Sequence, residues 1–253
     1  MNKKLIVPTV FATDAASFAE RFAKVTAISK HVHIDIMDGE FVQARSPGLS
    51  ELALPADKTL HIEAHLMVNK PGDYLEGLHT LQIKKVIFHV DSLATEGACN
   101  ELIASIKQLG MSPFIAVNPE IPIARVFPFL ETIDGVLVMG VHPGEEHQEF
   151  IEETFIKLAA LKTHIHSDKI AIQVDGGINT QNISKLAHLG VTIFNVGSYI
   201  ATSHNPKKAM KDLEIAMNTP LPKKLQHPAV AAKTAKVTAA KTKGKSGKKS
   251  KKK

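Results

Sequence analysis

The chain has no tryptophan, two tyrosines and a single cysteine in 253 residues. One cysteine, Cys99, excludes an intrachain disulfide framework and fits a reducing compartment, so a cytoplasmic location is expected. Cys99 itself reads as a small buried helix residue rather than a nucleophile. No apolar run reaches the roughly 18 residues that a membrane-spanning helix needs. The opening Met1-Asn2-Lys3-Lys4 precedes an apolar stretch that soon meets Asp14, a poor match to a signal peptide. No G-x-G-x-x-G follows the first strand candidate, which weighs against a doubly wound dinucleotide-binding sheet. Acidic residues are missing altogether after Glu214, and residues 218–253 carry twelve lysines. Without those twelve, 19 basic residues stand against 25 acidic ones, a net charge of −6.

The chain therefore divides into a mildly acidic body, 1–217, and a strongly basic tail, 218–253. The tail is built mainly from Lys, Ala, Thr, Ser and Gly and has no aromatic residue. It holds too little apolar surface to offset the entropy of ordering and is expected to be disordered. Its charge suits non-specific contact with polyanions or nucleic acid, without base readout.

Over the whole chain, mean hydropathy is near zero and 44% of residues are hydrophobic, enough for a substantial core. Val/Ile-rich runs at 4–10, 31–37, 60–66, 85–91, 113–118, 135–141, 169–175 and 191–197 read as strands covered on both faces. Amphipathic segments, among them 15–28, 94–109, 149–163 and 179–189, separate them. Eight such units in about 215 residues predict an α/β fold, a single (β/α)8 TIM barrel, with an open sheet as the alternative.

Barrel chemistry gathers at the C-terminal ends of strands, and unusual polar residues fall there. They are Thr9, His33, Asp35, His65, His89, Asp91, Asn118, His142, Asp175 and Gly197-Ser198. His33 and Asp35, two apart, point to the same side of their strand. Two imidazoles with two carboxylates, His33, Asp35, His65 and Asp175, suit a divalent zinc, iron or manganese ion. Asp38, before Gly39, reads as turn chemistry. "DGGI" (175–178), expected to open a helix near Asn179, and "GS" (197–198) occupy the usual phosphate position of this fold.

"HIDIMDGEFV" from His33, "HLMV" (65–68) followed by Pro71 and Tyr74, "NP" (118–119), "VHPG" (141–144), "VDGGI" (174–178) and "GS" resemble the ribulose-phosphate 3-epimerase family, in order and spacing, over roughly residues 4–217. The resemblance implies a metal-dependent barrel enzyme that inverts C3 of a phosphorylated ketose, interconverting ribulose 5-phosphate and xylulose 5-phosphate. It implies one divalent cation on His33, Asp35, His65 and Asp175, with Asp35 and Asp175 as the acid/base pair. Met37, Met67 and Met139 match methionines lining the family's site, and Thr9 stands where serine is usual. Substrate contacts are expected from Thr9, His65, the three methionines, Gly144, Gly176, Gly177, Gly197 and Ser198. A homo-oligomer is expected as well.

Two stretches depart from the family pattern. "PGEEHQ" (143–148) replaces a "PGFGGQ"-like loop, placing Glu145, Glu146 and His147 beside the expected phosphate, where carboxylates repel a dianion unless a protonated His147 compensates or the glutamates face solvent. "VQARSPG" (42–48) replaces a "VPNIT"-like stretch and brings Arg45, one of three arginines, as a replacement anion contact or a plain surface residue. These changes leave two alternatives open: the same chemistry on another sugar phosphate such as a ketohexose 6-phosphate, or a barrel without turnover that binds nucleic acid through its tail.

Overall fold

The computed structural model describes residues 3–167 and 169–221. Eight parallel strands close into a barrel in chain order. They are β1 (Leu5–Val10), β2 (His31–Met37), β3 (His61–Met67), β4 (Lys85–His89), β5 (Ser112–Val117), β6 (Gly135–Met139), β7 (Ala171–Asp175) and β8 (Ile193–Val196). The helices are α1 (Ala15–Thr26), α2 (Leu75–Thr80), α3 (Glu96–Gln108), α4 (Thr154–His164), α5 (Ile183–His188), α6 (Ser198–Ala201) and α7 (Pro206–Asn218). A 3₁₀ segment, Ile123–Phe129, takes the place of a helix between β5 and β6.

Strand alternation divides the core in two. Outward residues such as Ile34, Leu66, Phe88, Ile115, Val138 and Val174 pack beneath helices that contribute Phe18, Phe22, Ile106, Leu158 and Leu161. In α1, Phe18, Phe22 and Val25 recur at helical spacing, and the Asp14 carboxylate caps the first turn by accepting from the Ser17 amide at 2.9 Å. Inside the barrel one half is apolar, with Ile87, Phe114, Ala116, Leu137 and Met139. The other half is buried and polar: His33, Glu63, His65, His89, Gln173 and Asn195. That asymmetry places the chemistry between β7, β8 and β2–β4.

Three differences from the expected boundaries have a visible physical cause or bear on the site. β4 stops at His89, and Asp91 sits in a 3₁₀ turn, Val90–Ser92. The segment 149–153 stays outside the helix, because the Ile151 amide bonds back to the Gly140 carbonyl, and α4 begins only at Thr154. The residues after "DGGI" form an Asn turn: Asn182 Oδ1 accepts from the Asn179 amide and its Nδ2 donates to the Gly177 carbonyl. The helix there is therefore the six-residue α5, too short and too late for a strong dipole on the glycines. The disordered tail expected from 218 lies, beyond Leu221, outside the described residues. Among the described residues no helix is long and apolar enough to cross a membrane.

Candidate active site

Parallel register assembles the four residues singled out in the sequence. Thr9 pairs with His33, Asp35 with His65, and Met139 with Asp175. One donor atom from each of His33, Asp35, His65 and Asp175 lies within 4.8 Å of the others. His33 Nε2 stands 3.4 Å from both Asp35 Oδ1 and Asp175 Oδ2. His65 Nδ1 is 3.0 Å from Asp35 Oδ1 and 3.4 Å from Asp175 Oδ2. All four are buried.

These residues fit a divalent cation on two grounds. His33 Nε2 is buried and has no hydrogen-bond partner among the described residues, a costly state unless a ligand completes it. Charge gives the second. Asp35, Asp175 and the neighbouring Glu63 bring three carboxylates, and Lys85, 2.5 Å from Glu63, brings one ammonium. Two negative charges remain, which a divalent cation balances.

Protons do the same work in its absence. Burial disfavours the charged form of His33, but the charge of Asp175, the nearby carboxylates of Asp175 and Asp35 and the hydrogen bond to Glu63 outweigh it, so its pKa lies well above the usual histidine range. The same contest, won by Asp175 and Asp35, raises His65. Burial raises Asp175, yet the His33 charge beside it leaves its pKa below the ordinary carboxylate value. Burial, reinforced by His65, pushes His89 well below its usual value, so it is neutral. His65 Nε2 lies 2.8 Å from His89 Nε2. A His65 Nε2–H donating to neutral His89 leaves Nδ1 free to act as a ligand.

Above the histidines opens a cavity of about 620 Å³, open solvent at its rim included. Asp35 and Asp175 form its floor, while His33 and His65 lie beneath, fully buried. Thr9, Met67, Met139, Gly144, Gly176, Gly177, Gly197 and Ser198 line it. Met37 is buried beside Met67 in register and lies outside the cavity wall. Gly176 and Gly177 turn at φ +95° and +67°, and a Cβ would come within 2.3 Å of Val141 and 2.8 Å of the Phe150 backbone respectively. Only glycine serves there, which bares the backbone to the cavity. Asp38 is structural, as read from sequence: its carboxylate accepts from the amides of Glu40, Phe41 and Asn69.

Glu145, Glu146 and His147 line the cavity, and Glu146 has a partner that the sequence does not show. Glu146 does not stand free beside the cradle: Arg21 Nη1, on α1, reaches both of its oxygens, at 2.8 and 2.7 Å. His147 holds φ 62°, a conformation in which a side chain is strained, and its amide donates to Ser198 Oγ at 3.1 Å. Arg45 is exposed, joined to Asp38 by a backbone bridge, and does not reach the cavity wall. Sequence reading missed Arg21, along with Glu63, Lys85, Gln173 and Asn195. Three of these carried one usable signal. Glu63, Gln173 and Asn195 each lie two residues before a site residue, His65, Asp175 and Gly197, and so share its inward face.

Comparison with known proteins agrees with this geometry. The family model for the ribulose-phosphate 3 epimerase family matches residues 5–201. The cytoplasmic isoform of ribulose-phosphate 3-epimerase from Oryza sativa subsp. japonica is 32% identical over 213 residues, covering 82% of this chain and 92% of that protein. Ribulose-phosphate 3-epimerase from Mycobacterium tuberculosis (strain H37Rv) is 31% identical over 83% of this chain and 91% of its own length. Among solved structures, 3-hexulose-6-phosphate synthase from Salmonella typhimurium superposes with a TM-score of 0.63 at 16% identity, over 86% of this chain and 98% of that one. Orotidine 5'-phosphate decarboxylase from Pyrococcus horikoshii gives 0.60 at 13%, over 85% and 100%. At such identities these two structures speak for the barrel alone. With the family model spanning β1 to α6 and relatives matched over nine-tenths of their length, the chain belongs to the ribulose-phosphate 3-epimerase family, a family of isomerases.

Proposed function

We propose that this chain interconverts ribulose 5-phosphate and xylulose 5-phosphate by moving the C3 proton between two carboxylates. One observation carries the reading: Asp35 and Asp175 form the cavity floor, and their oxygens meet the two buried imidazoles within a 4.8 Å cluster. His33, Asp35, His65 and Asp175 would hold a divalent zinc, iron or manganese ion. When bound, such a cation stabilises the negative charge that an enediolate develops at C2 and C3.

The chain's own residues supply the rest. The C3 proton is acidic because it lies α to the ketone. One carboxylate of the pair removes it from one face, and the other returns a proton to the opposite face. Met67 and Met139 present soft apolar surface around the reacting carbons, keeping water from the enediolate. Thr9 Oγ1 is buried without a partner among the described residues, which leaves it available to a substrate hydroxyl. The bare backbone at Gly176 and Gly177, with Gly144, Gly197 and Ser198, suits the phosphate. Cys99 is a buried free thiol on α3, its pKa raised to about 12 by burial, and takes no part in the chemistry.

A second substrate reading has its own support. Past His142–Glu145 the cavity adjoins another chamber, lined by Asp91, Asn118 and Glu120, with room for a longer ketose such as a ketohexose 6-phosphate. Steady-state assays of the zinc-, iron- and manganese-loaded protein on both sugars decide between them. We expect kcat/KM at least about tenfold higher for ribulose 5-phosphate, the effect of one misplaced or unfilled group. A preference for the hexose would replace the substrate while leaving the chemistry in place.

A further inference from the structure

We propose that Glu63 is a positioning residue of the metal site, fixing which nitrogen of His33 faces the cation. The proposal rests on the reading that His33, Asp35, His65 and Asp175 hold a divalent ion. Glu63 lies in the middle of β3, in register with His33 on one side and Lys85 on the other. Its side chain points into the barrel and touches neither the cavity nor the cluster's open face. Donors converge on it from four strands. Oε1 accepts from His33 Nδ1 at 2.6 Å, Gln173 Nε2 at 2.5 Å and Asn195 Nδ2 at 2.8 Å, and Oε2 accepts from Lys85 Nζ at 2.5 Å.

Barrel filling does not explain this arrangement. Across the same interior, Ile87, Phe114 and Leu137 fill the space with apolar side chains. Replacing a buried ionic group by such residues is often neutral or stabilising, whereas stranding one partner is costly. What the carboxylate supplies is direction. Lys85 and the two amide –NH2 groups donate to it, so it acts as an acceptor only, and a neutral His33 meets it as the Nδ1–H tautomer. The lone pair then sits on Nε2, the buried atom without a partner that faces Asp35 and Asp175. Without Glu63 the opposite tautomer becomes available, and it aims a proton at the space the cation takes. His65 faces the cluster with its other nitrogen: Nδ1 points at Asp35 and Asp175, and Nε2 meets His89. An acceptor behind a metal-bound imidazole also increases its basicity, and loss of such a partner weakens metal binding by about 10- to 100-fold.

The test uses full-length protein and Zn²⁺ as the probe. Zinc affinity of wild type and Glu63→Gln is measured by chelator competition, and the histidine tautomers of the zinc-loaded protein are read by ¹⁵N NMR. We expect the variant to bind zinc about 10- to 100-fold more weakly. In wild type, His33 should carry its proton on Nδ1 and bind through Nε2, with His65 binding through Nδ1. The wild-type spectrum stands even if the variant does not fold, and ligation of His33 through Nδ1 overturns the proposal. A folded variant with wild-type zinc affinity overturns it too, leaving the metal reading intact. A wild type that takes up no zinc, iron or manganese overturns both.

Discussion

Arg21 lies on α1, on a residue no substrate reaches, yet its removal should weaken substrate binding. Its guanidinium spans both oxygens of Glu146, whose side chain is only 17% exposed against 39% for Arg21. A fully exposed pair contributes about 0–1 kcal/mol, and a hydrogen bond to a charged group about 1.5–3 kcal/mol. This half-sheltered contact falls between, at about 1–2 kcal/mol. Arg21→Ala loses that anchor and frees a carboxylate in the cavity wall, beside the proposed phosphate site. One kcal/mol is about fivefold and two about thirtyfold, so KM for ribulose 5-phosphate should rise about 5- to 30-fold. kcat should stay within about threefold, since Arg21 touches no reacting atom. The double variant Arg21→Ala/Glu146→Ala removes the stranded charge and should recover much of the loss. Added salt should narrow the gap between wild type and the single variant, because the freed carboxylate is screened. A wild-type KM in Arg21→Ala at low ionic strength, or a double variant as impaired as the single, refutes the reasoning.

Further outcomes follow from the same site. His33 and His65 both have raised pKa values, so each keeps its proton to a higher pH than a free imidazole unless a cation displaces it. Zinc binding should therefore release up to about two protons, and calorimetry in buffers of different ionisation enthalpy should show affinity still rising with pH above 6.5, levelling only where the raised imidazoles are neutral. An affinity that levels below 6.5 contradicts the shifts. Asp35→Asn or Asp175→Asn should lower kcat by about 10²–10⁴-fold at saturating metal, the contribution of a positioned acid or base. Deleting residues 223–253 should leave epimerase activity unchanged and abolish retention on heparin or DNA at low salt. Retention by the truncated protein would place the polyanion contact on the barrel.

The barrel was legible because its strands break the usual pattern in a regular way. His33 and Asp35 stand inside an Ile/Val run, and such charges survive burial only with partners. β2 occupies 31–37 as expected from sequence. The errors sit where tertiary bonds override local preference. The Ile151–Gly140 bond keeps 149–153 from joining α4, and the Asn179–Asn182 turn delays α5. The partner of Glu146 was not legible because Arg21 lies 125 residues away, a pairing with no local trace. Glu63 was overlooked for a different reason. Read alone it is one charged residue in a strand; its meaning depends on Lys85, Gln173 and Asn195, which come together only when the barrel closes.

The most direct test is epimerisation of ribulose 5-phosphate in D₂O by metal-loaded protein, with the product examined by NMR and mass spectrometry. Two carboxylates that exchange protons with solvent should yield xylulose 5-phosphate carrying deuterium at C3, and a chelator that strips the cation should stop both turnover and labelling. Xylulose 5-phosphate formed without deuterium at C3, or formed equally well after the metal has been removed, would contradict the account.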